Sequence, residues 1–213
     1  MYSVQLEETQ QLFKSIQQRI ENFEAGTVFT DVDFADLCSS STTLQQVLLS
    51  VVEKNQKNCQ QVTQGIYYKI KFSKMFKPER PLPPELLKVL NAISRQTGEI
   101  FQFTGGYCAN RLGLSTQVPM YYVLHTSGHS RQFKLGGVKV VLSHTDDQRL
   151  LQFPLSAVGM AISALYYIEQ GGADFKTIMI IKENLHHEDY QKLLLADLPR
   201  WIKKLLSDFE KIQ

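Results

Sequence analysis

Residues 27–72 read TVFTDVDFADLCSSSTTLQQVLLSVVEKNQKNCQQVTQGIYYKIKF, and the order of patterns within them decides the fold. Thr27-Val28-Phe29 is a short extended stretch. Thr30 stands three residues before Asp33, the spacing of a capping box, which predicts a short helix through Leu37. The run from Ser39 to Thr43 predicts a turn and supplies the next N-cap, because a short hydroxyl side chain accepts from an orphan amide of a first turn. Leu44, Val47, Leu48 and Val51 then recur at helical spacing, with Thr42, Thr43, Gln46, Ser50 and Glu53 on the opposite face. Residues 60–63 and 66–72 read as strands joined at Gln64-Gly65. In the second strand Ile66, Tyr68, Ile70 and Phe72 are expected inward, and Tyr67, Lys69 and Lys71 outward.

Upstream of this stretch, Leu6, Phe13, Ile16, Ile20 and Phe23 predict an amphipathic first helix that Gly26 ends. Helix, short helix, turn, polar-faced helix and β-hairpin is the order of a winged helix-turn-helix, in which the third helix enters the major groove and the hairpin is the wing. Glutamine can bond bidentately to adenine, and serine or threonine to several base edges. Thr42, Thr43, Gln46 and Ser50 are therefore the candidate base readers. Lys54, Lys57, Lys69, Lys71 and Lys74 are the candidate phosphate contacts, which position a protein on DNA without reading sequence. Two features oppose this reading. The polar face has no Lys or Arg before Lys54, and Asp31, Asp33 and Asp36 lie just ahead of it. They keep open a second class, a protein-interaction module whose winged helix no longer binds DNA.

Charge is unevenly distributed. Residues 1–53 carry a balance of −6, residues 54–80 a balance of +6 and residues 81–213 a balance of +2. A basic segment this compact is either the electrostatic footprint of a polyanion partner or a solvated face. Hydrophobic residues make up 43% of the 213 and charged residues 21%, which excludes a disordered or low-complexity chain. No apolar run reaches the roughly 18 residues of a membrane span. The N-terminal residues lack the pattern of a signal peptide. Cys38, Cys59 and Cys108 are widely spaced and odd in number, as expected of reduced thiols, so a cytoplasmic protein without membrane association is expected.

Four of the seven prolines fall within residues 78–84, which predicts a linker there. The expected organisation is α+β: a winged helix-turn-helix over residues 1–77, the linker, and a larger mixed α+β domain over residues 85–213. In that second domain a helix is expected from Glu85 to Gln96, strands at residues 100–104 and 120–126, and a short helix at residues 107–112. A hairpin follows across Gly136-Gly137, then helices from Leu155 onward, the last one starting at Pro199.

Catalytic signatures such as GxxxxGK[ST], GxGxxG, HExxH and GxSxG do not occur. Ser115, His125, His129, Ser130 and His144 share one region, but nothing places a nucleophile on a strained turn beside a base. His186-His187-Glu188 is better read as a solvated helix start than as metal ligands, because adjacent histidines point to different faces. Neither an enzyme activity, nor a cofactor, nor a metal is expected.

The central segment Tyr107-Cys108-Ala109-Asn110-Arg111-Leu112-Gly113-Leu114-Ser115-Thr116-Gln117-Val118-Pro119 carries a family resemblance. It continues through Tyr122 to Thr126, Ser130-Arg131, Leu135-Gly136-Gly137 and Val141 to His144. These segments are similar to the AbiEi-like antitoxins of type IV toxin–antitoxin systems, through GLSTQVP, the T-x-G-x-SR that follows and a histidine after a glycine hairpin. FTDVDFADL and GIYY in the first half resemble that family's winged-helix domain. The resemblance implies a bacterial antitoxin whose N-terminal domain binds promoter DNA and represses its own operon. Its C-terminal domain would counter a cognate nucleotidyltransferase-type toxin. The toxin's own Gly-Ser signature is absent, which makes this chain the antitoxin half. Ser115, Thr116, Gln117, Pro119, Ser130, Arg131 and His144 become the motif residues of the antitoxin domain. The stretch from Gly113 to Pro119 reads either as a tight packing loop or as a loop that contacts toxin or ligand. One departure stands out: where the family puts Arg or Lys in the recognition helix and next strand, this chain has Thr43, Gln45, Gln46, Gln60 and Gln61. The first helix, with apolar residues three and four apart, is also a surface for a homodimer.

Overall fold

In the computed structural model, which describes residues 2–212 apart from the side chains of residues 2–6 and 170, the capping box forms where its spacing predicts. The Thr30 side chain accepts from the Val32 amide at 3.2 Å, and the Asp33 carboxylate accepts from the Thr30 amide at 2.8 Å. The turn that it opens, Asp31–Phe34, is a 3-10 helix shorter than expected. It follows α1 (Tyr2–Asn22) and β1 (Val28–Phe29) and precedes α2 (Ser41–Lys54). Ser40 caps α2 by accepting from the Thr43 amide at 3.3 Å. Leu44, Val47, Leu48 and Val51 are buried as predicted, in a cluster with Ile16, Ile20, Phe29 and Phe34. Leu6, also expected on this face, lies outside the described side chains.

Strands β2 (Cys59–Thr63) and β3 (Ile66–Lys69) meet at Gly65, whose φ of 73° suits a residue without Cβ. With β1 they form an antiparallel sheet of order β1-β3-β2. The alternation expected from Ile66 to Phe72 fails in two ways. Tyr67 is buried beside its neighbours Ile66 and Tyr68, and Phe72 is exposed. The reason is that α3 (Leu86–Thr97) packs on this sheet too, so central strand β3 is covered on both faces and has no solvated side to alternate toward. The chain then breaks pairing after Lys69, and β4 (Lys71–Ser73) pairs instead with β5 (Arg80–Leu82).

This corrects the expected boundary. Residues 78–84 are not a linker between domains; part of them is β5, and the first compact unit runs through Gly98, joined by Phe133–Gly137. Val89, Leu90, Ala92 and Ile93 of α3 are buried in it, and Gln96 donates to Asp31 at 2.9 Å.

The second unit comprises Glu99–Gln132 and Val138–Gln213. Strands β6 (Phe101–Phe103), β7 (Tyr122–Thr126), β8 (Arg131–Leu135) and β9 (Val138–His144) stand in the order β6-β7-β9-β8, with β7 and β9 parallel; residues 133–135 of β8 are counted with the first unit, and the other three strands lie in the second. Helix α4 (Gly105–Arg111) packs closely on α5 (Ala157–Gly172). Helices α6 (Phe175–Asn184), α7 (His187–Leu195) and α8 (Arg200–Glu210) complete it. Pro199 is the residue before α8 rather than its first, and the buried face is Ile202, Leu206 and Phe209, with Trp201 and Leu205 only partly covered. Helices and sheets in both units make the chain α+β, as expected.

Candidate functional site

The four candidate base readers on α2 separate into two pairs. Thr42 and Gln46 are exposed. Thr43 is half-buried, and its hydroxyl lies 3.0 Å from that of Ser40. Ser50 is half-buried too, and with Gln46 and Lys54 it lines a groove of about 460 Å³ against Thr9, Gln10, Phe13 and Lys14 of α1. Gln45, next to Gln46, is turned away to donate to Asp31 at 2.6 Å.

The three aspartates that opposed an anionic partner are all engaged within the first unit. Asp31 is buried and accepts from Gln45 and Gln96. Asp33 closes the capping box and pairs with Arg95 at 3.3 Å. Asp36 forms a two-pronged pair with Arg19, whose guanidinium holds the carboxylate below its ordinary range. Asp33 and Asp36 thus each face a cation, while Asp31 is held by two neutral amides.

The lysines also separate. Lys69 is engaged within the fold: its ammonium donates to the carbonyl oxygens of Glu21, in the last turn of α1, and of Phe23, just past it, at 2.7 and 2.8 Å. A lysine on a short strand beside a helix end meets orphan carbonyls before it meets solvent. Lys54 lies 4.8 Å over the Phe13 ring. Lys57, Lys71 and Lys74 are exposed. Two more cations of the basic segment join the exposed ones. The β4–β5 hairpin carries Lys77 and Arg80 with Lys71 and Lys74, around an exposed Phe72, Met75 and Phe76.

In the second unit the motif residues fall in two places. The loop after α4 is tied by the Asn110 side chain, which donates to the Ser115 carbonyl at 3.1 Å, and by the Gln117 amide, which donates to the Ser115 hydroxyl at 3.2 Å. Thr116 is exposed, while Gln117, Val118 and Pro119 rim a pocket of about 590 Å³. Ser130, Arg131 and His144 belong to a separate lashing of the turn after β7. Arg131 donates to Glu99 at 2.8 Å, and Thr126 donates to the same carboxylate at 2.9 Å. The His144 amide donates to Ser130, and the His144 ring contacts the Gly128 carbonyl at 2.8 Å and Asp146 at 3.0 Å. With a carbonyl at one ring nitrogen and a carboxylate at the other, both nitrogens must donate, which only the protonated imidazole does. Its pKa is accordingly raised above the ordinary value, chiefly by Asp146.

The hydrolytic grouping does not assemble around Ser115, whose hydroxyl serves its own loop, while His125 lines the pocket and His144 is held by Gly128 and Asp146. Ser163 also lines the pocket and was missed, since a serine in an apolar helix carries no sequence signal of a site. Cys108 is buried, and burial pushes its thiol up to about 12. Among the described residues no helix is long and apolar enough to cross a membrane.

A model of the family of unknown function DUF6088 matches residues 15–193. No curated protein and no solved structure matches the chain.

Proposed function

We propose that this chain, which belongs to the DUF6088 family, is a cytoplasmic antitoxin that uses a winged helix-turn-helix in its first unit to bind promoter DNA. It represses its own operon there and counteracts a cognate nucleotidyltransferase-type toxin.

The DNA reading is carried by one observation. The order α1, β1, 3-10 turn, α2, β2, β3, with the sheet order β1-β3-β2, leaves Thr42 and Gln46 exposed on α2, while the three neighbouring aspartates are internally paired. Gln46 reads a base edge, Thr42 assists, and Lys54, Lys57, Lys71 and Lys74 contact phosphates. Lys77 and Arg80, on the same β4–β5 hairpin as Lys71 and Lys74, add two further cations. The antitoxin role rests on the resemblance of Gly113 to Pro119, Ser130-Arg131 and His144 to the AbiEi-like family.

Fluorescence anisotropy on the duplex immediately upstream of the gene, beside a scrambled duplex at several salt concentrations, tests the first part. Preference for the upstream duplex with a steep salt dependence is expected. Equal, weak binding to both overturns it. Co-expression with the neighbouring gene product tests the second part, through restored growth.

A second reading has an observation of its own. The α2 face offers no cation before Lys54, and Lys69 is committed to α1. A winged helix kept only for protein contacts has this character, and it predicts toxin rescue without DNA binding.

A further inference from the structure

From Lys71 to Leu82, through β4, the turn and β5, only Ser73 is buried. This exposed hairpin carries large apolar side chains: Met75 is 92% exposed, Phe76 48% and Phe72 42%. It also carries four cations, Lys71, Lys74, Lys77 and Arg80, against Glu79 alone. Among the described residues the ion pairs of the first unit join Arg19 to Asp36, Lys88 to Glu85 and Arg95 to Asp33, and none of them neutralises these four. The Arg80 guanidinium lies over the Phe76 ring, 5.2 Å from its centroid, which keeps that ring among the charges. Single apolar residues scattered over a surface are ordinary, but Met75 and Phe76 stand together in the turn, bracketed by Lys74 and Lys77.

The β2–β3 hairpin, which by its place after α2 would be the wing, is equipped differently. Its one cation, Lys69, is held by the carbonyls of Glu21 and Phe23. Its turn lies against α3: a Cβ built on Gly65 would come within 2.9 Å of the Gln96 amide nitrogen. That turn has neither the charge nor the clearance to enter a groove, and the β4–β5 hairpin has both. Lys71 stands opposite Leu82 and Arg80 opposite Ser73, so the two strand cations lie two residues apart along the ladder, roughly 7 Å. Lys74 and Lys77 lie beyond them in the turn. Cations spread along the length of a hairpin suit the phosphate rows that wall a groove. A lipid surface would engage the pair in the turn and leave Lys71 at the base without a partner. Apolar side chains at the tip suit the minor groove, where methionine and phenylalanine can wedge against base steps. We infer that β4–β5, rather than β2–β3, is the DNA wing of this chain. Met75 enters a minor groove, and Lys71, Lys74, Lys77 and Arg80 lie on the flanking phosphates. The inference rests on the DNA reading of the first unit and adds to it the groove and the apolar contact.

The test is fluorescence anisotropy of the full chain and its variants on the duplex upstream of the gene. Met75 is almost wholly exposed, so Met75→Ser should keep the parent's urea midpoint. It should weaken binding about tenfold, the effect of burying roughly half of one methionine side chain, and leave the salt slope unchanged. Met75→Leu should restore most of that affinity. Lys77→Ala should flatten the slope by about 1. Gln64→Ala, in the β2–β3 turn, should change neither affinity nor slope. Methylation interference separates the grooves, because adenine N3 faces the minor groove and guanine N7 the major. Methylated adenine N3 should block the parent at positions to which Met75→Ser is indifferent. A parent that binds no duplex overturns this inference together with the DNA reading. Tight binding that Met75→Ser and Lys77→Ala share in full overturns this inference alone, as does a loss in Gln64→Ala equal to that in Met75→Ser. Phosphatidylserine vesicles are the other anionic partner to try. They overturn the inference if they bind the parent and not Met75→Ser while the duplex binds both equally.

Discussion

The ammonium group of Lys69 donates to the carbonyl oxygen of Phe23 at 2.8 Å, and so ties β3 to the chain just past α1. The same group reaches the Glu21 carbonyl at 2.7 Å, within the last turn of the helix. Two acceptors that a helix end leaves unpaired are thereby met by one cation placed at the negative end of the helix dipole. Lys69 is thus part of the fold, whereas Lys71 and Lys74 on the following hairpin face solvent.

Lys69 and Lys71 should therefore behave oppositely. Lys69→Ala should lower stability by about 1 kcal/mol, a discounted figure for partly exposed charge-assisted hydrogen bonds. It should leave the salt dependence of DNA binding unchanged. Replacing Lys71 and Lys74 together by Ala should leave stability unchanged and flatten the slope of log affinity against log salt by about 2. Urea unfolding and anisotropy on the same proteins separate the two. A slope lowered by Lys69→Ala would mean the ammonium leaves Phe23 when DNA binds.

Adjacent glutamines on α2 should also differ. Gln45 is spent on Asp31, at 2.6 Å, so Gln45→Ala should act on stability, leaving a nearly buried carboxylate with Gln96 as its remaining side-chain donor. Gln46 is exposed, and Gln46→Ala should instead reduce discrimination between the upstream and scrambled duplexes, by about 1–3 kcal/mol if its contact is bidentate. Competition binding reads the difference. Equal discrimination in Gln46→Ala and the parent removes Gln46 from base reading.

The first unit was legible up to β3 because its signals are local. Thr30 and Asp33 sit three residues apart, Ser40 starts α2, and four apolar residues share one face. Legibility ended where distant chain decides. The burial of Tyr67 beside Ile66 and Tyr68 comes from α3 covering the sheet, and no window around residue 67 contains α3. The prolines at residues 78–84 signal only that helix is disfavoured, so a strand with Pro81 opposite Phe72 reads like a linker. In the second unit the loop around Gln117 was visible as a motif. Its meeting with His125 and Ser163 was not, since these come from a strand and from a helix that begins nearly 40 residues after the loop ends.

His144 makes a pH prediction whose sign follows from its partners. Its pKa is raised above the ordinary value of about 6.5 by Asp146 and by the Gly128 carbonyl. A raised pKa means that the folded state binds this proton more tightly than the unfolded chain does. The stabilisation is complete below the unfolded value and is lost as pH rises through the folded one. The ring is exposed, so the effect on stability is small and weakens with salt. The titration itself is the better reading: proton NMR should place the His144 midpoint above that of an ordinary histidine, and Asp146→Asn should bring it down. His125 should titrate in the opposite direction, below the ordinary value, because burial dominates it. A His144 midpoint unmoved by Asp146→Asn would mean that the contact is not held in solution.

The strictest test of the second unit is at Gly105, where α4 begins against α5. A Cβ built on Gly105 overlaps the Cβ of Tyr167 and the carbonyl oxygen of Ser163. The first is fixed to the backbone and the second is backbone, so neither can swing aside as the end of a flexible side chain would. Gly105→Ala must push α4 away from α5, at about 1–3 kcal/mol for overpacking of this kind. Gly106 is the internal control. Its added Cβ meets only the Tyr167 ring, at 3.6 Å or more, which is ordinary contact. There Ala gains up to about 1 kcal/mol from helix propensity. Urea midpoints should therefore move in opposite directions for substitutions one residue apart. Because Tyr167 and Ser163 also line the pocket, Gly105→Ala should weaken any ligand bound there. Similar midpoints for both variants would show that α4 and α5 do not approach this closely.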